Sequence, residues 1–163
     1  MMKKSIILVE GPDCSGKSTL INRVKNTLRW DCKSLHHRSG NQFQRYLQEY
    51  ASSKDMVIDR GHISEEVYST LWKRETPFSK SEKKILDDIV TEQYLIIFSC
   101  PSLDTLQERY RQRTFKQQIS LAELEVSREL FLNTMQSFPY ISYNSNNYEE
   151  LDLLVARIEK EVA

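Results

Sequence analysis

A glycine-containing motif between an apolar run and a helical pattern constrains this chain more than any other feature. Residues 11–18 read Gly-Pro-Asp-Cys-Ser-Gly-Lys-Ser, a complete G-x-x-x-x-G-K-[ST] phosphate loop. Apolar residues 6–9 predict a strand directly before the motif, and the apolar spacing within 20–28 predicts a helix directly after it. Because this strand–loop–helix context is the one that gives the motif its meaning, a chance match in a loop is disfavoured. The motif predicts a site for a nucleoside triphosphate.

Each part of the loop has its own chemical task. Successive backbone N–H groups of such a loop point at phosphate oxygens, and the following helix adds the positive end of its dipole. Lys17 supplies a mobile cation for the β- and γ-phosphates, and Ser18 supplies a hydroxyl ligand for Mg²⁺. The residues expected to contact the nucleotide are Gly11, Asp13, Cys14, Ser15, Gly16, Lys17, Ser18 and Thr19.

Length, charge and cysteine content narrow the class of protein. With 163 residues the chain suits a single domain over 1–163. Its 23 Lys and Arg balance 23 Asp and Glu without a basic block, which argues against a nucleic-acid or membrane-surface partner. Three cysteines without metal-ligand spacing suit a reducing compartment. No apolar run approaches a membrane span, so we expect a soluble cytoplasmic protein.

Strand and helix patterns alternate along the whole chain. The predicted strands are residues 5–10, 33–37, 56–59, 94–99 and 140–143. The intervening helices carry cap signals at Ser64, at Asn147 with Glu150, and as Ser-x-x-Glu boxes that begin at Ser79 and Ser120. This alternation predicts an α/β fold with a mostly parallel sheet and helices on both faces.

Ligands in such folds gather beyond the carboxyl ends of the strands. Asp59-Arg60 ends an apolar strand, and the acidic residue there is suited to hold Mg²⁺ as a Walker-B carboxylate does. Arg60 offers a planar fork for a second phosphate. The alternative is a surface ion pair at a strand end, which the phosphate loop on the same edge makes less attractive.

Other polar residues on this edge are candidates for the acceptor. Arg38 is suited to clamp an acceptor phosphate, or is a solvated loop arginine. Asp13 either meets an acceptor hydroxyl and assists proton removal, or is a turn former. His36, His37 and His62 do not form a convincing metal set, although His62 is placed to hydrogen-bond a substrate if it is not a locally satisfied histidine.

A basic segment over 109–120 follows the fourth strand and its helix. Arg109, Arg111, Arg113 and Lys116 fit either a solvated helix end or a mobile lid that closes over the transferred phosphoryl group. We favour the lid because a phosphate loop without one leaves the transfer open to water. The side chains assigned to catalysis are Lys17, Asp59, Arg60, Arg109 and Arg113.

These motifs carry a family resemblance. The phosphate loop, the strand-borne Val-Ile-Asp-Arg and the arginine-rich segment resemble the P-loop nucleoside monophosphate kinases, and the thymidylate kinase-like group most closely. The resemblance covers nearly the whole chain. It implies a P-loop NTPase three-layer fold with a five-stranded parallel sheet and a short arginine-rich lid, Mg-ATP as donor, and frequent pairing as homodimers.

The resemblance also implies roles on the acceptor side. Arg60 holds the acceptor, Asp13 lies near its sugar, Arg38 loosely matches an arginine that grips its phosphate, and Phe43 falls near the base, with core packing as the alternative for Phe43. The chain departs from the family pattern here: it is shorter, His37-Arg38-Ser39 replaces Arg-Glu-Pro, and Gly61-His62 stands where a tyrosine is more usual.

These features suggest three functions. The first is transfer of the γ-phosphoryl group of ATP to a nucleoside monophosphate, expected to be a pyrimidine deoxynucleotide such as dTMP. The second is a P-loop kinase that acts on a hydroxyl of a nucleoside, a modified base in DNA or another small molecule. The third is a nucleotide-binding module without enzymatic activity, which leaves the arginine-rich segment unexplained.

Overall fold

A computed structural model describes residues 4–144 and 148–162. Within these residues, five parallel strands form one sheet in the order β2–β3–β1–β4–β5. In chain order the elements are β1 (Ile6–Glu10), α1 (Lys17–Leu28), β2 (Asp31–Ser34), α2 (Gln42–Ser52), β3 (Met56–Asp59), α3 (His62–Leu71), α4 (Lys80–Gln93), β4 (Tyr94–Ser99), α5 (Leu103–Gln112), α6 (Leu121–Met135), β5 (Ile141–Tyr143) and α7 (Tyr148–Val162).

The first strand lies at the centre of the sheet. It pairs with β3 on one side, where Val9 is level with Asp59, and with β4 on the other, where Glu10 is level with Phe98. β1 and β4 are buried along their full length because nearly all of their side chains are apolar, whereas β2 is exposed at the sheet edge. The chain runs from β1 to β2 and β3 on one side of β1, and from β3 it crosses to β4 and β5 on the other side. Ligand sites of such sheets lie where the strand order reverses in this way, beyond the carboxyl ends of the strands.

Alternate side chains of the strands enter two separate cores. Ile6, Leu8 and Ile58 belong to the core covered by α2, α3, α4, α5 and α6, while Ile7 and Val9 belong to the core covered by α1 and α7. Strand side chains alternate between faces, so an uninterrupted apolar strand is the sequence requirement for a sheet buried on both sides. The result is the predicted α/β arrangement of a parallel sheet between two helical layers.

Most predicted elements are confirmed, and the capping boxes from Ser79 to Glu82 and from Ser120 to Glu123 are both present. Two boundaries were wrong. β2 covers 31–34 rather than 33–37, and α3 begins at His62 with Gly61 as its N-cap, so Ser64 lies inside the helix. The predicted cap at Asn147 lies outside the described residues.

Among the helices that the structure describes, none combines the length and apolar character needed to cross a membrane.

Gly61 provides a test of the packing between β1, α2 and α3. A Cβ at this position would lie 2.6 Å from the Tyr50 hydroxyl and 3.0 Å from Leu8 Cδ1. Gly61→Ala should therefore lower the free energy of unfolding by about 1–3 kcal/mol, measured by urea denaturation. Thr70→Ala, on the exposed side of α3, is the control and should change stability by less than about 0.5 kcal/mol. Equal stability of the two variants would contradict the close packing at Gly61.

Candidate active site

The phosphate loop lies at the mouth of a cavity of about 810 Å³ beyond the carboxyl end of β1. Gly11, with φ of 147°, passes so close to β4 that a Cβ there would collide with the Ser99 carbonyl oxygen. The Ser99 hydroxyl also donates to the Ser15 carbonyl oxygen at 2.8 Å, which ties the loop to β4. The predicted nucleotide contacts that line the cavity are Asp13, Cys14, Ser15, Gly16, Lys17, Ser18 and Thr19, with Gly11 at the base of the loop.

Lys17 opens α1 and turns back over the loop. Its Nζ donates to the carbonyl oxygens of Gly11 at 2.9 Å and Pro12 at 2.6 Å, and to the Ser15 hydroxyl at 3.3 Å. Burial, reinforced by the charge of Arg60, lowers the pKa of Lys17 to about 7. The hydrogen bonds hold the amine at the loop, and an anion bound there would raise its pKa.

Asp59 and Ser18 provide oxygens suited to Mg²⁺. Asp59 Oδ2 accepts from the Ser34 hydroxyl at 3.1 Å, whereas Oδ1 is buried without a hydrogen-bond partner among the described residues. The exposed Ser18 lines the same cavity as Asp59. No group of three or more His, Cys, Asp or Glu side chains able to hold a metal occurs in the described part of the chain. The residues fit an ion held mainly by phosphate oxygens and water, which is the usual arrangement for Mg²⁺.

Arg60 faces the phosphate loop from the end of β3. Its guanidinium pairs with the Asp13 carboxylate, donates to the Gly11 carbonyl oxygen at 3.4 Å and lies 5.0 Å from the centre of the Tyr68 ring. Its backbone has φ of 65°, a left-handed conformation that is unfavourable for an arginine. The Arg60–Asp13 pair brings two predicted acceptor residues together on the wall of the cavity.

The basic segment contributes two of its arginines to the same cavity. Arg109 lies in the last turn of α5 and donates to the Cys14 carbonyl oxygen at 3.3 Å. Arg113 follows α5 directly, and its guanidinium lies 5.2 Å from the centre of the exposed Phe115 ring. Arg111 and Lys116 are exposed and do not line the cavity. The irregular part of the predicted lid thus covers 113–120, and its first four residues belong to α5.

A second, polar cavity of about 520 Å³ lies between the β2–α2 connection, α3 and the α3–α4 connection. Glu65 is its buried carboxylate, with His37 Nδ1 at 2.7 Å, the Ser69 hydroxyl at 3.3 Å and Arg74 Nη1 at 3.7 Å. Arg74 Nε is buried without a hydrogen-bond partner in the described residues. Arg38 lines this cavity rather than the first one. Sequence reasoning missed Glu65 and Arg74, because neither belongs to a motif.

Two predicted substrate contacts are not brought to either cavity. His62 is 0% exposed, and its ring nitrogens lie 2.8 Å from the Tyr50 hydroxyl and 2.8 Å from Asp87 Oδ1. Burial lowers the pKa of His62. Its two ring contacts within the core match the alternative interpretation of a locally satisfied histidine. Phe43 packs against the core instead of lining a cavity, as its alternative interpretation proposed.

Glu10 is a further residue that sequence reasoning missed. It ends β1 immediately before the phosphate loop and is 0% exposed. Its carboxylate accepts from the Gly61 backbone N–H at 2.7 Å and from the Ser64 hydroxyl. An acidic residue at the end of an otherwise apolar strand was the available signal.

No protein-family model matches the sequence, and no curated protein matches it either. Several solved structures do match this chain. YorR of Bacillus subtilis, in complex with phosphorylated GDP, superposes with a TM-score of 0.82 at 20% identity, covering 96% of this chain and 94% of YorR. The chain has the fold of the P-loop kinases.

Two further structures show the same fold at lower identity. Deoxyadenosine kinase from M. mycoides with bound dATP gives a TM-score of 0.66 at 13% identity, covering 97% of this chain and 100% of that enzyme. Shikimate kinase from Bacteroides thetaiotaomicron gives 0.55 at 16% identity, covering 96% and 97%.

The pKa of Lys17 leads to a prediction about nucleotide binding. At pH 8 an amine with a pKa of about 7 is mostly neutral, and the charges of a bound triphosphate raise that pKa. Binding of Mg-ATP at pH 8 should therefore take up close to about one proton, because the complex binds protons that the free protein has released. Titration calorimetry in two buffers of different ionisation enthalpy measures this uptake.

The control for this measurement is Lys17→Met, which should bind Mg-ATP without the proton uptake that is attributed to Lys17. Proton release by the unsubstituted protein, or the same uptake in both proteins, would show that Lys17 is already charged before the nucleotide binds.

Proposed function

We propose that this protein is a kinase that transfers the γ-phosphoryl group of ATP to a nucleoside monophosphate. The observation that carries the proposal is the convergence of Lys17, Asp59, Arg60, Arg109 and Arg113 on one cavity around the phosphate loop. Binding of a nucleotide requires only the loop. Arginines on both sides of the loop are suited in addition to the negatively charged phosphoryl group that passes from one nucleotide to another. The P-loop kinase fold supports the same reaction.

Catalysis in this proposal rests on position and charge. The loop N–H groups and Lys17 hold the β- and γ-phosphates, and Arg109 and Arg113 close over the transferred group and exclude water. Ser18 and Asp59 would hold Mg²⁺ or its water shell, and the ion would neutralise charge that develops on the phosphate oxygens. Arg60 orients the attacking phosphate. The Asp13 carboxylate, with which Arg60 pairs, takes the place of that phosphate as the anionic partner of the guanidinium.

A phosphate acceptor fits this edge of the sheet better than a hydroxyl. A phosphate is already ionised and needs no base, whereas a hydroxyl must lose a proton. The connection after β2 carries His36, His37 and Arg38 and no carboxylate, and Asp13 is occupied by Arg60. A nucleoside acceptor is the second candidate, favoured by the likeness to deoxyadenosine kinase, and it would require Asp13 to leave Arg60 and act as base.

The second cavity is where we place the nucleobase of the acceptor. α3 begins beside Arg60 and carries Glu65 and Ser69 into the second cavity, so one helix reaches both ends of an acceptor. Glu65 is a hydrogen-bond acceptor and Arg74 Nε an unused donor, a pairing suited to a base edge. Both purines and pyrimidines present such an edge. The thymidylate kinase-like assignment and the preference for dTMP therefore remain proposals.

An acceptor panel tests the reaction. The protein is mixed with Mg-ATP and the common ribo- and deoxynucleoside monophosphates, free nucleosides, shikimate, and plain or base-hydroxylated DNA, and both ADP release and the product are followed. We expect a nucleoside diphosphate from one or a few monophosphates, with turnover lost in Lys17→Ala. Phosphorylation of a nucleoside or of DNA alone would favour the second candidate. ATP binding without transfer to any acceptor would contradict kinase activity.

The role of Asp59 leads to a separate prediction. Asp59→Asn removes a negative charge from the cavity that Ser18 also lines but keeps the size of the side chain, so the Mg²⁺ concentration for half-maximal activity should rise about tenfold or more. Asp55→Asn is the matched control, because the exposed Asp55 precedes β3 at the opposite end of the strand. The same magnesium dependence in both variants would exclude Asp59 from metal binding.

A further inference from the structure

Glu10 is a buried acidic residue, and the free-energy cost of removing its carboxylate from water must be offset. It occupies the last position of β1, directly before Gly11, and is 0% exposed. A carboxylate removed from water is unfavourable unless it is hydrogen-bonded and close to positive charge. Burial raises the pKa of Glu10, while its hydrogen bonds and the charges of Arg60 and Lys17 oppose that rise. The nature of those partners indicates what the carboxylate does.

Both oxygens of Glu10 are bound at the N-terminus of α3. Oε1 accepts from the N–H of Gly61, the N-cap residue, at 2.7 Å, and Oε2 accepts from the hydroxyl of Ser64. Gly61 has no side chain with which to cap the helix. Glu10 therefore performs from β1 the task that the Glu at N3 of a capping box performs from within the helix, since it accepts from the N–H of the N-cap residue, and the helix dipole favours its negative charge.

The hydrogen bonds from β1 fix the backbone of Arg60, because one lies at each end of it. The Arg60 N–H donates to the Val9 carbonyl oxygen at 3.0 Å, and the next N–H along the chain, that of Gly61, donates to Glu10. Consecutive residues of β1 thus fix both ends of the Arg60 backbone, which adopts the unfavourable φ of 65°. Such a conformation persists only where the surroundings over-determine it.

The charge of Glu10 serves the same arrangement. Arg60 and Lys17 are both directed at the phosphate loop and repel each other. After burial, Arg60 is the largest cause of the lowered pKa of Lys17, and Glu10 is among the carboxylates that oppose it. Glu10 is the one of these carboxylates that is wholly buried, in contrast to Asp13 and Asp59, which line the cavity and would meet the ligand or its metal ion.

We propose that Glu10 is a positioning residue that fixes Arg60 against the phosphate loop, so that the guanidinium and the loop act on the phosphoryl group from fixed relative positions. The proposal rests on the function proposed above. Glu10 itself touches no substrate; it acts through the backbone of residues 60 and 61.

A double-mutant cycle tests this coupling. Glu10→Gln keeps the size of the side chain and one oxygen acceptor but removes the charge. It should lower kcat about 10- to 100-fold, as small misplacements of a catalytic group do. The KM for ATP should change less than about threefold, since the loop itself is intact. In an Arg60→Lys background the same substitution should lower kcat by less than about threefold, because the group that Glu10 positions is already lost.

Two outcomes of the cycle would overturn the proposal. One is an unchanged kcat in Glu10→Gln; the other is the same fold-loss in both backgrounds, as expected of a general loss of structure. Ile158→Val, a substitution in the opposite core, is the control for destabilisation alone and should leave kcat unchanged.

A measurement without turnover separates this proposal from the proposed function. The Arg60 side-chain N–H resonance is assigned by its disappearance in Arg60→Lys and compared between the unsubstituted protein and Glu10→Gln. A shifted or broadened resonance supports the proposal, and an identical one overturns it, whether or not any acceptor is phosphorylated. If the acceptor panel gives no product, the kinase function fails while this measurement still decides the role of Glu10.

Discussion

Everything at the candidate site depends on the position of β1 between β3 and β4. Parallel pairing on both sides brings the carboxyl ends of the three strands to one place, so the phosphate loop meets Asp59 and Arg60 on one flank and Ser99 on the other. The pairing in turn requires side chains that are apolar on both faces, because helices cover the sheet on both sides. Glu10 is the exception in β1, and it occurs where the strand gives way to the site.

The site brings three basic side chains close together around the phosphate loop. Lys17, Arg60 and Arg109 all bond to carbonyl or carboxylate oxygens of the loop or its neighbours. Like charges at such spacing are unfavourable, and the carboxylates of Glu10, Asp13 and Asp59 reduce that repulsion from different directions. Basic groups that are already gathered around the loop reduce the rearrangement needed to stabilise a transition state.

The fold and the position of the phosphate loop were predictable because they follow from local pattern. A motif of eight residues, apolar strands and Ser-x-x-Glu boxes each report on neighbours along the chain. Apart from the bounds of β2, the strands, capping boxes and placement of the loop agree with the structure. The start of α3 was missed because its cap comes from Glu10 in another strand. The ring contacts of His62 could not be predicted for the same reason: Tyr50 and Asp87, which hydrogen-bond its ring, are distant in sequence. Glu65 and Arg74 meet only after folding.

Lys17 makes three hydrogen bonds to its own loop, and these affect which ligands the loop can bind. An incoming anion does not add contacts to a vacant cation; it exchanges them for those that the amine already makes with Gly11, Pro12 and Ser15. A small anion offers few oxygens for that exchange, whereas the chain of phosphates in a nucleotide also reaches the backbone N–H groups and the arginines beyond. We therefore expect the loop to favour a chain of phosphates over a single one.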